Sequence, residues 1–331
     1  MTVEAVLPYW LDRPDEEAVA VAVQAERAGL GGLWVGEMAT FDAPVLATAI
    51  GHRTERLALR VGPLAVGVRS PVAVALAASS VATLTGHAVD VALGASSPGI
   101  VAGWHGHPWE QTARRMRETI ECLRPILRGE RAEYEGQLVR AHGFRLRQPI
   151  PEARIWAAAF GPAMTRVAAR HADGVLLNLV SPDRVRTVSQ TVAEEAEQAG
   201  RTPPPVGVWV PAALEPGQAA RAQLAGQLAV YLAPPGYGEM FSELGFAELV
   251  RRARSGARRT ELAPEIPLEL PEQVGAIGSA AQVAERIAAY HEAGASVVGV
   301  VPATAEDPDG ARVLEAAATG AGSLRTGRPG G

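Results

Sequence analysis

The 331-residue chain contains no lysine, so all 31 of its Lys+Arg cations are arginine. Without lysine there is no amine for a Schiff base and no P-loop lysine, which closes off those two mechanisms. Cysteine occurs once, as Cys122; an internal disulfide is excluded and a reducing compartment is favoured. No apolar run is long enough to span a bilayer. The opening MTVEAVLPYW lacks the basic and apolar regions of a secretory signal. No basic block resembles a nucleic-acid footprint, and the net charge of −5 points the same way. These absences predict a cytoplasmic protein with no membrane and no nucleic-acid partner.

What the chain does have is a hydrophobic fraction of 47%, ample for a large core. Short apolar runs alternate with helical patterns: VEAVL (3–7), GLWVG (32–36), LALRV (57–61), AVDVAL (88–93), RIWAAA (154–159), GVLLNL (174–179), PVGVWV (205–210) and SVVGVV (296–301). Continuous apolar strands separated by helices imply a parallel sheet covered on both faces. Eight such units favour closure into an α/β (β/α)₈ TIM barrel. An open doubly wound sheet would also want a glycine-rich phosphate turn after its first strand, and PYWLDRPDEE offers none.

Helix ends are readable. Ser70 and Pro71 suit the cap and first position of one helix. Ser279 and Gln282 form a capping-box pattern, with Val283, Ile287 and Tyr290 on one face and Gly294 beyond the end. Met116, Ile120, Leu123 and Leu127 form a buried stripe in which Pro125 predicts a kink or early stop. Residues 129–149 read as a β-hairpin insertion turning near Glu135 and Gly136, and residues 231–271 as a late helical insertion. A single barrel domain is expected over 1–319, followed by a glycine-rich tail, 320–331, that does not order itself.

In such a barrel the working groups project from the C-terminal strand ends. The loop GASSPGIVAGWHGHPWE follows the fourth strand and is long and chemically loaded. Its Ser96 and Ser97 would face the cavity, while Trp104 and His105 could fold over it, the alternative being that Trp104 packs the insertion and the histidines are solvated; Trp109 reads as packing. His105 and His107 suggest a metal, but no further cluster completes a zinc set, and no metal is assigned.

In IWAAAFGPAMTRVAARHADG a strand runs through Phe160, Gly161 and Pro162 directly into a helix. The free N–H groups of Ala163 and Met164 then point out of the helix start, as in a phosphate seat, although an ordinary βα turn would look the same. Gly62-Pro63, after the third strand, could bulge into the cavity if its peptide bond were cis. Glu37, after the second strand, is placed as acid, base or substrate anchor, or else as the partner of a neighbouring arginine. Asn178 could hydrogen-bond a ring edge or its own turn.

Taken together, LGASSPGIVAGWHGHP, AAAFGPAMTRVAARHADGVLLN and YHEAGASVVGVVPA resemble the luciferase-like superfamily of barrel oxidoreductases, particularly its branch using the deazaflavin coenzyme F420. The resemblance implies a cofactor phosphate on the amides of Phe160, Gly161, Pro162, Ala163 and Met164. It implies a bulge near Gly62 and Pro63 against the ring, with a cis prolyl bond in place of the family's non-prolyl one, and a ring contact at Ser96 and Ser97. Trp104 and Asn178 would then meet the substrate.

Members of that branch carry an Asp-His pair after strand two, where this chain has Glu37-Met38. The catalytic proton would thus fall to Glu37 or His105, or hydride transfer would need no dedicated acid. The implied activity is hydride transfer between F420 and a small organic substrate, in a homodimer. The alternatives are an FMN-dependent luciferase-like monooxygenase and a catalytically silent flavin-binding protein.

Overall fold

Eight parallel strands close on themselves: β1 (Thr2–Val6), β2 (Gly32–Val35), β3 (Ala58–Ala65), β4 (Val89–Gly94), β7 (Ile155–Ala158), β8 (Gly174–Asn178), β9 (Val206–Leu214) and β11 (Ala295–Pro302). The ring is completed by β8 pairing with β9, β9 with β11, and β11 with β1. The computed structural model describes residues 1–9, 12–37 and 39–326. All eight strands expected from the apolar runs are present, so the TIM barrel stands. The hairpin strands β5 (Arg131–Glu135) and β6 (Arg140–Arg145) pair antiparallel, as that insertion requires. A short strand, β10 (Ala276–Gly278), had no sequence expectation; it pairs only with the end of β9. Three residues are too few to show a period.

The helices start where their caps predict. Ser70 Oγ accepts from the Ala73 N–H ahead of Pro71–Thr85, and Ser279 and Gln282 exchange both capping-box bonds ahead of Ala280–Glu292. The helix Thr112–Leu127 continues two residues past Pro125 and then stops. Glu118, buried on that helix, accepts from the N–H groups of Gln137, Leu138 and Val139 and so pins the hairpin turn to the barrel. Burial pushes its carboxyl up, but the three N–H donors outweigh burial and hold it below the ordinary carboxylate range.

The tail corrects the sequence reading. The last helix, Ala311–Thr326, runs through the first seven residues of the segment expected to be unordered; residues 327–331 lie outside those described. Tertiary packing explains the difference. Val313, Leu314 and Ala317 are buried, and Gly320 approaches Ala284 so closely that a Cβ there would lie 2.8 Å from the alanine methyl. A docked face carries glycines that would break an isolated helix.

Inside the barrel, Trp34, Trp156 and Trp209 meet edge to face, with ring centroids 5.2 and 5.8 Å from Trp34. Below them Arg60 bridges Glu4 and Asp90 and lies 5.1 and 5.2 Å from the rings of Trp34 and Trp156. This fills the floor. Two residues beyond Trp34 and Trp156, on the same inward face, stand Gly36 and Ala158. Large side chains below and small ones above leave the ligand space at the C-terminal ends.

Candidate active site at the barrel mouth

The helix Pro162–His171 starts at Gly161, whose φ of 78° and ψ of 163° belong to a region held almost only by glycine. No side chain caps this helix, and its first turn carries no acidic residue. Pro162 has no N–H to satisfy, while those of Ala163 and Met164 have no acceptor among the described residues. A Cβ built on Gly161 meets nothing within 4 Å, so the space before the turn is open. A bare helix start with a positive partial charge and free access is suited to an anionic group such as a phosphate.

Across the mouth, the Gly62-Pro63 bond is cis, and the register of β3 against β4 shifts between Val61 and Leu64. The backbone bulges there as the resemblance implied. Gly62 is held against β4 so tightly that a Cβ would fall 2.1 Å from the Ala92 carbonyl oxygen.

Glu37 takes the arginine-paired form. Arg69 clasps its carboxylate with Nε, 3.0 Å from Oε2, and with its terminal nitrogen, and also reaches Asp42. The bond to Glu37, ahead of that to Asp42, raises the guanidinium pKa against burial. A carboxylate held this way is an oriented acceptor. Met38, the departure from the family's histidine, lies outside the described residues.

The loop after β4 departs from the sequence picture. Residues 99–104 form one wide helical turn, and Ser97 Oγ accepts from Ile100 N–H at 3.4 Å. Ser96 is exposed with a φ of 66°. Trp104 is 59% exposed, and the exposed His105 ring has no hydrogen-bond partner among the described residues. His107 instead fastens the loop to the bulge side, its Nδ1 2.8 Å from the Gly67 carbonyl. No group of three or more metal-ligating side chains occurs among the described residues.

The Asn178 amide donates to Tyr237 Oη at 3.2 Å. Tyr237 begins a helix of the late insertion, and its ring centroid lies 4.3 Å from Phe160 and 4.9 Å from Tyr231. The insertion thus rests on the residue that precedes the open helix start. Tyr9, directly after β1, points its hydroxyl at Gly36, where a Cβ would lie 2.7 Å away. That hydroxyl is buried without a partner among the described residues, and burial, with Glu37 and Tyr231 nearby, pushes its pKa well up.

The sequence reading missed Tyr9, Arg69, Tyr231 and Tyr237. Tyr9 had a usable signal, since it follows a barrel strand directly. Tyr231 and Tyr237 had none, because nothing local says that an insertion folds back over the mouth.

The sequence profile of the luciferase-like monooxygenase family matches residues 10–296. A Mycobacterium tuberculosis protein named provisionally as a coenzyme F420-dependent oxidoreductase is 26% identical, over 91% of this chain and 94% of its own. The 5,10-methylenetetrahydromethanopterin reductase of Methanolobus tindarius is 28% identical over 66% of this chain and 68% of its own. Among solved structures, the coenzyme F420-dependent tetrahydromethanopterin reductase of Methanopyrus kandleri superposes with a TM-score of 0.80 at 18% identity, covering 96% of this chain and 98% of that one. With the profile spanning most of its length and the barrel closed as described, this chain belongs to the luciferase-like monooxygenase family.

Proposed function

We propose that the protein is an F420-dependent oxidoreductase that moves a hydride between the deazaflavin and a small organic substrate. The observation that carries the reading is the helix start at Gly161, Pro162, Ala163 and Met164, with its free amides, absence of acidic groups and open approach. That seat opens at the same barrel end as the Gly62-Pro63 bulge. The name of the M. tuberculosis relative supports F420 over FMN.

When bound, the deazaflavin supplies the hydride donor or acceptor. The protein's own residues bind, orient and exclude water. Ala163 and Met164 would hold the cofactor phosphate by their N–H groups. The bulge at Gly62 and Pro63 would support the ring from one side. Phe160, Tyr237 and Tyr231 make an apolar wall that keeps water from the mouth. Arg69 fixes Glu37 as an anionic acceptor near the Tyr9 hydroxyl. Trp104 and His105 would join the site only if their loop turned inward.

No helix among the described residues is long and apolar enough to cross a membrane, and the reading keeps the protein in the cytoplasm, without nucleic-acid or membrane partners. It also places two copies together. Exposed Val45, Leu76 and Leu84 on the adjacent helices Ala43–Gly51 and Pro71–Thr85 support a homodimer contact.

Titrating the protein into F420 and, separately, into FMN while following fluorescence tests the assignment. Saturable F420 binding with weaker FMN binding is expected. Tight FMN binding without F420 binding would transfer the protein to the flavin monooxygenases. F420 binding without turnover of any alcohol, aldehyde, imine or enone would leave a silent binding protein.

A further inference from the structure

A cleft of about 250 Å³ opens between the barrel mouth and the helical insertion. Its walls include Tyr9 and Asp12 after β1, Gln227 and Tyr231 on the helix Gln218–Tyr231, and Arg259 and Thr260 on the short helix Arg259–Leu262. Two polar atoms on these residues, Tyr9 Oη and Gln227 Oε1, are buried and have no hydrogen-bond partner among the described residues. Buried polar groups are nearly always satisfied, and these two orphans lie just behind the cleft surface on side chains that line it, where a small rotation would present them to what enters.

Arg259 adds a charge. Its neighbours Arg252, Arg254 and Arg258 pair with Glu265, Glu239 and Glu261. Among the described residues Arg259 has no such carboxylate, and it lines the cleft, with one terminal nitrogen 3.6 Å from where a Cβ of Gly226 would stand. The cleft also contains one carboxylate, Asp12, which accepts weakly from Gln223 at 3.4 and 3.5 Å. That charge opposes a dianion more than a monoanion. Tyr231 connects the cleft to the mouth through its contact with Tyr237.

We infer that this cleft holds the substrate and that the substrate is an organic monocarboxylate. Its carboxylate sits on the Arg259 guanidinium, and its inner polar group meets the Tyr9 hydroxyl and the Gln227 amide. The inference rests on the proposed function, because it takes the barrel mouth as the place where substrate and cofactor meet.

The test is calorimetric titration of the full chain, without cofactor, with acetate, butyrate, octanoate, benzoate and 3-phenylpropionate, with their primary amides, and with phenyl phosphate. At least one carboxylate should bind about tenfold more tightly than its amide, the margin of a charge-assisted pair. Arg259→Ala should abolish that preference and Arg259→Lys should retain part of it. Tyr9→Phe should weaken acid and amide alike. Binding of every carboxylate no better than its amide, or a preference that survives Arg259→Ala, overturns the proposal. Tighter binding of phenyl phosphate overturns the carboxylate assignment.

F420 titrations of the same proteins separate the two readings. Unchanged F420 affinity in Arg259→Ala is expected, and a parallel loss would hand the arginine to the cofactor and overturn the proposal. Failure of the wild type to bind F420 refutes the proposed function alone, and the carboxylate result is read independently of it.

Discussion

At Gly161 two physical demands fall on one residue: a backbone conformation closed to other amino acids, and clear space in front of two unpaired amides. Gly161→Val clashes with nothing inside the protein, so its effect would be felt by the ligand and by the backbone. F420 affinity should fall by about tenfold or more, while backbone strain costs about 1–3 kcal/mol of stability. Fluorescence titration beside thermal melting separates the two, and an unchanged affinity would move the phosphate elsewhere. Gly62→Ala behaves differently. Its methyl would land 2.1 Å from the Ala92 carbonyl oxygen, backbone that cannot step aside. A loss of more than about 3 kcal/mol in urea unfolding is expected, and near-native stability would show that β3 and β4 do not approach as described. Glu37 marks the limit of residue-level reading. The sequence put a carboxylate at a strand end with two outcomes open, and the deciding Arg69 lies 32 positions away. Only barrel closure brings them together.

Elements were legible where local physics decides them. Ser279 and Gln282 satisfy each other's backbone N–H groups whatever the tertiary context, and Ser279→Ala should cost about 1 kcal/mol in denaturant midpoint. Apolar strands buried on both sides are likewise visible as runs. The misses came where packing overrides local preference: the glycine-bearing last helix, the wide helical turn at 99–104 and the three-residue β10. Helix ends can also store a pH response. His291, near the end of Ala280–Glu292, is buried with Nδ1 2.7 Å from the Ala295 carbonyl, and burial, outweighing that bond, lowers its pKa from the ordinary 6.5. A buried imidazole with a lowered pKa binds fewer protons folded than unfolded. Its stability contribution is therefore complete above pH 6.5 and is lost as the pH falls below that value, at no more than about 1.4 kcal/mol per pH unit for one proton. His291→Gln should flatten unfolding free energy between pH 7 and 5. The residual slope combines His171, also lowered chiefly by burial, with His142, which Glu135 and Glu133 raise and which therefore acts with the opposite sign. A variant with the full wild-type slope would exclude His291 as its source.

The whole molecule is organised by what fills the barrel and what does not. Its mouth gathers strand-end residues from Tyr9 to Asn178 and an insertion, which is why the open helix start could be read from a short motif and the tyrosine cluster could not. The floor has the same non-local character, since Glu4, Arg60 and Asp90 come from β1, β3 and β4. With Arg60 5% exposed and Glu4 4% exposed, neither charge has water to fall back on. Three strands are thus tied by one guanidinium that also lies against Trp34 and Trp156. Arg60→Leu would keep much of the volume while leaving the buried Glu4 carboxylate without a cation and Asp90 with Arg154 alone. The expected loss is about 3–5 kcal/mol, read from urea unfolding. Removing Glu4 and Asp90 as well, as Gln and Asn, should recover part of it, because the penalty comes from uncompensated charge rather than from a missing side chain. If the triple variant were no more stable than Arg60→Leu alone, the guanidinium's packing against the tryptophans would be its main contribution, and the floor would be held by ring contacts instead of ion pairs.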